Sequence, residues 1–495
     1  MNSTDLSKPT RQSVKGLALI FVQGVRQSIR MFWPLILVVV FQEKIFDNKL
    51  VLGIVGMVIL LLLIVHTILF YLNFYFYVTD DEFILKTGYL RKKQLTIPLA
   101  RIQSVNTKQN FLQQLLNVVT LEIDTAGTAG KELKIHALEK SFATELQSLL
   151  RTGKAKSEII DLTEQVEIKD TSEKLILKLT PADLLKIGIS QNHFRTGLII
   201  LAFGFQIFQK IQDIFAEKAE EYSNELVTFM SGSDLALIIF LIIFFLVISI
   251  LFSLFRTVFK YFNFKLLKQE NVYRIESGLF NKRNVILPYN KIQELNWETG
   301  PIKKLFGIYH LVFKQAVSAQ NKKVQLVDAP GCLTEHLNLL KTDLFGEDLL
   351  LDIPKINTNN FYFWRLWIIF GWIPVALTSP FLYGEWLFWG GAILWLSILG
   401  GYIFLMLRKR YFKMNGDQIR ISKGAISHKL IQMELFKIQS VEFKQTIFQK
   451  RRSLASLQLM NASGSMTIPY IDESIAKQIY NYLLYHTEIS EKRWM

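Results

Sequence analysis

The chain has 495 residues, 50% of them hydrophobic and 13% aromatic, with a mean hydropathy of +0.25. So much apolar mass beside only 11 Pro and 26 Gly excludes a disordered, collagen-like or low-complexity protein, and the single Cys332 excludes an internal disulfide framework or a Cys-based zinc site. A net charge of +15 leaves nucleic acid or an anionic membrane surface as partner, and the apolar runs decide for the membrane.

Three runs lack any charge: Leu50 to Tyr71 (22 residues), Leu235 to Phe255 (21) and Trp386 to Leu407 (22). Each reaches the ~20 residues that a helix needs to cross ~30 Å of hydrocarbon. A weaker apolar segment precedes each one: Met31 to Phe41, Thr196 to Phe208 and Leu366 to Leu382. The first two are short. Each either spans with snorkelling ends and local thinning or lies as a re-entrant or interfacial helix. The third contains Pro374 and Pro380, which predict a kink. The reading is six spans in three helical hairpins. In chain order, 1–71 hold an N-terminal segment and hairpin 1, 72–151 soluble unit 1, 152–194 a linker and 195–259 hairpin 2. Unit 2 follows at 260–341, a second linker at 342–363, hairpin 3 at 364–407 and unit 3 at 408–495.

Lys and Arg set the orientation. Lys8, Arg11, Lys15, Arg26 and Arg30 precede the first span, Arg256 and Lys260 follow the fourth, and Arg408, Lys409 and Arg410 follow the sixth. The loops inside the hairpins are poorer in basic residues, and the 215–234 loop has Lys218 alone. Both termini and all three soluble units are therefore expected in the cytoplasm. Leu17 to Val22 is a poor signal-peptide core, so no cleavable leader is expected.

The soluble units repeat one another. Unit 1 reads Ile84-Leu-Lys-Thr-Gly88, Leu95-Thr-Ile-Pro98 and Arg101-Ile-Gln-Ser-Val105. Unit 2 reads Arg274-Ile-Glu-Ser-Gly278, Val285-Ile-Leu-Pro288 and Lys291-Ile-Gln-Glu-Leu295. Unit 3 reads Arg420-Ile-Ser-Lys-Gly424, Ile431-Gln-Met-Glu434 and Lys437-Ile-Gln-Ser-Val441. The step from Gly to the basic residue is 13 in all three, and Leu121, Leu311 and Leu457 each fall 18 residues after the shared Gln. A Leu-Leu pair closes each unit, at 149–150, 339–340 and 483–484. Agreement of this extent marks an internal repeat.

Within a unit the pattern is mostly strand. Asp80-Asp81, Glu270-Asn271 and Asn415-Gly416 read as hairpin tips between alternating runs. Gly88, Gly278 and Gly424 sit where a strand ends, as a glycine with positive φ does. A short helix is expected from Phe111 to Leu116 and at its counterparts. Later strands follow over Val119 to Asp124, Tyr309 to Gln315 and Ala455 to Asn461, and a final helix over Ile475 to Leu484. The fold class is therefore an α+β membrane protein. Each hairpin is followed by a small antiparallel β-barrel or sandwich capped by a C-terminal helix.

Strand–Gly–strand, then Ile/Leu-Pro, then basic-Ile-Gln, beside paired membrane helices, resembles the bacterial membrane-flanked pleckstrin-homology-like domain family. Three such units on six spans resemble the YdbT-like architecture within it, over nearly the whole chain. Unit 3 departs from the pattern. Glu434 stands where units 1 and 2 have Pro98 and Pro288, and Lys450-Arg-Arg-Ser453 replaces the Leu-Leu-Asn and Leu-Phe-Gly of the others. The resemblance implies a pleckstrin-homology-like (PH-like) fold, the bacterial inner membrane and, as partner, a smaller single-unit relative. It implies no defined activity, because fold alone never does.

The repeated motif offers one candidate surface: Arg101, Gln103, Lys291, Gln293, Lys437 and Gln439. Its plainer reading is structural. Ile102, Ile292 and Ile438 then fill the interior, the glutamines bond to neighbouring backbone, and Lys437 points to solvent. A second candidate is a set of anionic-lipid contacts at Lys303, Lys304, Arg408, Lys409, Arg410, Lys450, Arg451 and Arg452. Residues 408–495 carry 15 basic and 7 acidic side chains and residues 260–341 carry 13 and 6, whereas residues 72–151 carry 10 and 8. The excess charge thus lies in units 2 and 3, where each basic residue near an anionic leaflet contributes ~1 kcal/mol. The plainer reading there is ordinary positive-inside bias. His66, a lone polar ring in an apolar span, is expected to hydrogen-bond across helices, and Arg365 to anchor its span at the interface. Gly127-Thr-Ala-Gly-Lys131 is too tight for a phosphate-binding loop and reads as a turn.

No catalytic motif, metal-ligand spacing or cofactor signature is present, and no nucleic-acid motif. The expectation is a non-enzymatic membrane scaffold or interaction protein in envelope maintenance. It would present three cytoplasmic PH-like units to lipid head groups or protein partners. The rival is a transporter or lipid-handling protein, for which the spans offer only His66, Gly371 and Pro374.

Overall fold

The computed structural model describes residues 8–41, 49–125, 133–159, 173–191, 235–316, 326–382 and 386–489, with single positions at 193, 197, 202, 206 and 384. The expected span Thr196 to Phe208, the 215–234 loop and the Gly127–Lys131 turn lie outside these stretches, apart from the positions just named.

Among the described residues three helices are long and apolar enough to cross a membrane: Ile243–Tyr261, Phe361–Leu382 and Trp386–Arg408. The first charge-free run also lies on one helix, Lys49–Leu72. The described residues thus support three of the six expected spans. Met31 to Phe41 is the end of a longer helix, α1 (Gly16–Phe41). The kink expected at Pro374 takes a specific form. A π-helical turn, Ile368–Trp372, runs into the helix Ile373–Leu382. Pro374 has no N–H for the carbonyl four residues earlier, Phe370. That carbonyl instead accepts from the Trp395 indole of the following helix, at 3.2 Å. The neighbouring helix thereby satisfies a backbone group that lipid could not.

Domain 1 contains β1 (Tyr75–Val78), β2 (Glu82–Thr87), β3 (Lys93–Pro98), β4 (Ile102–Gln109), β5 (Val118–Thr125) and β6 (Leu133–Glu139). Before domain 2 comes β7 (Lys174–Lys178). Domain 2 contains β8 (Lys265–Gln269), β9 (Val272–Ser277), β10 (Lys282–Pro288), β11 (Ile292–Thr299), β12 (Tyr309–Gln315) and β13 (Leu326–Cys332). Domain 3 is preceded by β14 (Ile356–Asn357). It contains β15 (Tyr411–Met414), β16 (Gln418–Lys423), β17 (His428–Glu434), β18 (Ile438–Lys444), β19 (Leu454–Asn461) and β20 (Gly464–Asp472). Helices Lys140–Ile159, Thr334–Phe345 and Glu473–Ile489 close the three domains.

No barrel closes. A one-turn 3-10 helix follows the third strand of every domain, at Leu99–Arg101, Tyr289–Lys291 and Leu435–Lys437, and moves the chain from one sheet to the next. The third and fourth strands of a domain are therefore not paired, and in domains 1 and 3 the two sheets bury one core between them.

The described chain divides into two compact units. The first gathers Met1–Lys174, Leu267–Pro288 and Ser318–Lys322, the second Leu175–Leu266, Tyr289–Val317 and Lys323–Met495. Domain 2 is thus shared between them. In the first unit one sheet runs β1-β2-β3 and another continues β6-β5-β4-β10-β9. In the second, one sheet runs β13-β12-β11-β17-β16-β15-β14 and another β18-β19-β20. The fourth strand of one domain is therefore extended by the third strand of the next, twice. In the first junction Lys282 faces Gln109, Arg283 faces Lys108 and Asn284 faces Thr107. In the second His428 faces Thr299, Lys429 faces Glu298 and Leu430 faces Trp297. Both junctions use equivalent positions of the repeat.

The shared apolar positions form the cores. In domain 1 Phe76, Phe83, Ile102, Val105, Leu121, Ile123 and Leu150 are buried together, and in domain 3 Phe412, Ile438, Val441, Leu457, Leu459 and Leu483. Full burial of one such side chain contributes about 1.5–3 kcal/mol. Gly88, Gly278 and Gly424 have φ of +93°, +109° and +120°. A Cβ there would collide with the carbonyl oxygen of Arg91, Asn281 or Ser427, so the turn admits no side chain.

Candidate functional site

The basic-Ile-Gln motif lies where the 3-10 turn meets the fourth strand. Ile102, Ile292 and Ile438 are buried in each case. The ladder slips by one residue between Ile102 and Ser104, Ile292 and Glu294, and Ile438 and Ser440. The motif glutamine is therefore the extra residue of a β-bulge in all three domains. Gln293 is 1% exposed and Gln439 is exposed. The side chain of Gln103 lies outside the described residues.

The basic residues divide by context. Arg101 is exposed, whereas Lys291 and Lys437 are only 6% and 8% exposed. The expectation that Lys437 faces solvent is wrong. Strand alternation does not apply to it, because Lys437 ends the 3-10 turn. Its ammonium crosses the second junction, donating to the Ile292 carbonyl at 2.8 Å, and pairs with Glu434 at 2.7 Å. Glu434, the departure of the third unit from the shared proline, is the counter-charge of this clasp.

A second buried polar group stands beside the same junction. Arg420 donates to Gln432 at 2.8 Å and to Asp348 at 2.5 Å, and lies over the Trp297 ring at 5.5 Å. Lys341 also pairs with Asp348, at 2.5 Å. Burial alone would raise the Asp348 carboxyl, but the hydrogen bonds from Lys341 and Arg420 outweigh it and hold the group below its usual range. The second linker read from sequence, 342–363, therefore contains Asp348 and β14. The first, 152–194, contains β7 and a helix at Pro181–Ile189.

The candidate lipid cations separate into committed and free groups. Lys409 donates to the Ala425 and Ile426 carbonyls, Arg410 lies over Tyr362 at 5.2 Å, and Arg408 over Phe404 at 5.2 Å. Lys409 thereby fastens the foot of the last helix to domain 3, Arg410 leans on the helix Phe361–Trp367, and Arg408 stays on its own helix. Burial lowers the pKa of Lys303, against the pull of Glu298. Lys304 is exposed between the exposed Ile302 and Leu305 on the short helix Pro301–Leu305. Lys450, Arg451 and Arg452 are exposed beside the equally exposed Ile447 and Phe448. Arg452 stacks on Phe361, the first residue of the helix Phe361–Trp367, at 3.5 Å.

The chain entering each apolar segment is tied to the domain that follows. Thr10 bridges Phe76, Leu179 N–H donates to the Phe264 carbonyl at 3.2 Å, and β14 pairs with β15. Arg365, expected as an interfacial anchor, donates to the Tyr470 hydroxyl at 3.4 Å. His66 finds its partner not on another helix but in domain 1, where its Nδ1 lies 2.9 Å from the Tyr89 hydroxyl. At the second hairpin Asp328 binds both Lys260 and Tyr261. Burial opposes the Asp328 charge, and these partners overcome it and depress the carboxyl. Burial likewise pushes His310, on the adjacent strand, down to about 4.

One signal in the sequence was not used. Asn110-x-x-Gln113 and Thr446-x-x-Gln449 are capping boxes. Each glutamine then reaches on to a strand hydroxyl, Thr120 at 2.6 Å and Ser456 at 2.7 Å.

Three repeated domains with closing helices, each preceded by an apolar helix, are now in place. Residues 32–154, 225–332 and 368–487 each match the bacterial PH domain. The chain belongs to the bacterial PH domain family. It is also similar to the UPF0699 transmembrane protein YdbT of Bacillus subtilis (strain 168). The two are 22% identical over 453 residues, which cover 86% of this chain and 88% of that protein. The chain is thus a membrane-associated protein carrying three bacterial PH domains.

Replacing Lys437 by Ala leaves the Ile292 carbonyl without its charged donor, at a cost of about 1–3 kcal/mol. Gln439→Ala, at an exposed bulge, stays within about 0.5 kcal/mol. Hydrogen exchange along β11 and β17 in the full-length protein measures both: protection falls for the first variant and holds for the second. The Asp348 carboxyl is depressed in the folded state, so its stabilising effect is complete above the usual 3.8 and is lost as pH falls through the lower folded value. Protection of β16 and β17 should decline over that acid window in the native chain and lose this dependence in Asp348→Asn.

Proposed function

We propose that this protein is a non-enzymatic scaffold of the bacterial inner membrane. Both termini lie on the cytoplasmic side, and the bacterial PH domains are presented there to anionic head groups and protein partners in envelope maintenance. The observation that carries the lipid part of this reading is the tip of domain 3. Ile447 and Phe448 are exposed there next to Lys450, Arg451 and Arg452, and Arg452 stacks on Phe361 at the foot of an apolar hairpin. An apolar pair ringed by cations and held at a membrane-spanning foot is the composition that an anionic interface binds. Lys304 between Ile302 and Leu305 repeats it in domain 2. The transport reading would draw on the broken helix at Ile368–Trp372, but the carbonyl released there is already claimed by Trp395.

Hydrogen exchange of residues 447–453 tests the lipid contact in protein reconstituted into zwitterionic or anionic nanodiscs. Protection should be greater in anionic discs. It should fall as salt shortens the screening length from ~10 Å at 0.1 M to ~3 Å at 1 M. It should also drop when Lys450, Arg451 and Arg452 are changed together to Ala. Equal protection in both disc types refutes the contact.

The orientation rests on the Lys and Arg flanking the spans, and is tested separately. A cysteine at Ser277 should stay unlabelled by an impermeant maleimide added to intact cells, and one at Ser223 should react. Labelling at 277 overturns the orientation.

A further inference from the structure

Both junctions between domains join the same two edges: the fourth strand of one domain and the third strand of the next. Three domains carry three edges of each kind. Two of each are consumed, by β4 with β10 and by β11 with β17. One third-strand edge, β3, and one fourth-strand edge, β18, remain, each at the end of a three-stranded sheet. They are complementary in kind and belong to the first and last domains.

We propose that β18 of one copy of this chain pairs with β3 of a second copy, continuing the internal junction from molecule to molecule. The internal register then dictates the pairing. Lys93 stands where Arg283 and Lys429 stand, and Lys444 where Lys108 and Glu298 stand, so Lys93 faces Lys444.

The side chains around these edges support the match. Across the first junction Phe111 meets Phe280 edge-on at 5.7 Å, and Gln114 donates to the Leu279 and Phe280 carbonyls at 2.9 Å. At the free edges the equivalent positions are Ile447, Leu90 and Lys450. Leu90 is 88% exposed and Ile447 74%, with the neighbouring Phe448 at 75%. These apolar groups are exposed among the described residues, and the pairing would bring Ile447 onto Leu90. Asn106, which accepts from the Ile286 N–H at 3.0 Å, corresponds to the half-buried Glu442, and Ile286 to Thr96. A carboxylate would therefore meet a backbone donor. Lys437 clasps the Ile292 carbonyl across the second junction, and its equivalent in domain 1 is the exposed Arg101. Arg101 of the copy that supplies β3 would reach the Ile438 carbonyl of the copy that supplies β18.

Lys93 against Lys444 is a like-charge pair, but so is Arg283 against Lys108. There Glu122 neutralises Lys108, and Glu442 pairs with Lys444 at 2.8 Å. The contact is heterologous, so it generates a ring or an open row and not a symmetric dimer. Strand addition of this kind draws affinity from main-chain hydrogen bonds.

The Ile286 N–H points across the first junction, so outward donors alternate along the strand. Their equivalents in β3 are the N–H groups of Thr96 and Gln94. Gln94→Pro therefore removes an outward donor without touching the pairing of β3 with β2, as edge strands tolerate.

The test uses full-length protein in native membranes, oxidised and run without reductant, with Lys93→Cys and Lys444→Cys combined. Facing residues of an antiparallel pair lie about 4.5–5.5 Å apart, within disulfide reach. The expected result is a ladder of covalent dimers and higher multiples, abolished by adding Gln94→Pro and reduced when Glu442→Cys replaces Lys444→Cys. Retention of monomer mobility and membrane insertion by the Gln94→Pro protein shows that the variant still folds. A ladder from Lys93→Cys alone, cross-linking only within one chain, adducts only with a different protein, or a ladder indifferent to Gln94→Pro each overturns the proposal.

Discussion

The architecture depends on unpaired backbone groups at sheet edges. A small two-sheet sandwich that does not close leaves a row of N–H and C=O groups along its outer strands, and such rows must be paired, covered or charged. Here the fourth strand of domain 1 and that of domain 2 are each covered by the next domain in the chain. The one-turn 3-10 helix makes this necessary, because it parts the third strand from the fourth and forbids closure within a domain. The bulge at the motif glutamine follows directly, and it sets the register from which Ile292 presents its carbonyl to Lys437. Fold, motif and junction thus share one cause.

The membrane attachment obeys a similar economy. The segment entering each hairpin is bound to the strand or loop that leaves it, through Thr10 and Phe76, Leu179 and Phe264, or β14 and β15. Cations that sequence alone would assign to lipid are instead engaged by the protein, as Lys409 is by the Ala425 and Ile426 carbonyls. The exposed remainder, Lys450 to Arg452, is a smaller and more local group than net charge implies.

Much of the fold was legible in the sequence. The triplicated Gly, Ile-Gln and Leu positions located the strands. Ile102, Leu121 and Leu457 are buried as their spacing required, because apolar periodicity reports burial directly. Lys437 was misread because a rule of alternation was extended past the end of the strand. Asp348 was missed because a polar stretch between repeats looks like a linker whether or not it supplies a buried counter-ion. The junctions were invisible for a deeper reason. Edge pairing uses backbone groups, which every residue carries, so it leaves almost no trace in side-chain identity.

The equivalence of the two junctions bears on how such a chain could have grown. Duplicating one hairpin with its domain adds one donor edge and one acceptor edge, already in register, and every existing contact survives. Loss of a repeat is equally neutral, since the flanking edges meet each other as before. Copy number can therefore drift without any compensating substitution at the joints. The sequences within each joint are free to diverge too, from Arg283 opposite Lys108 to Lys429 opposite Glu298, as long as the backbone ladder is kept.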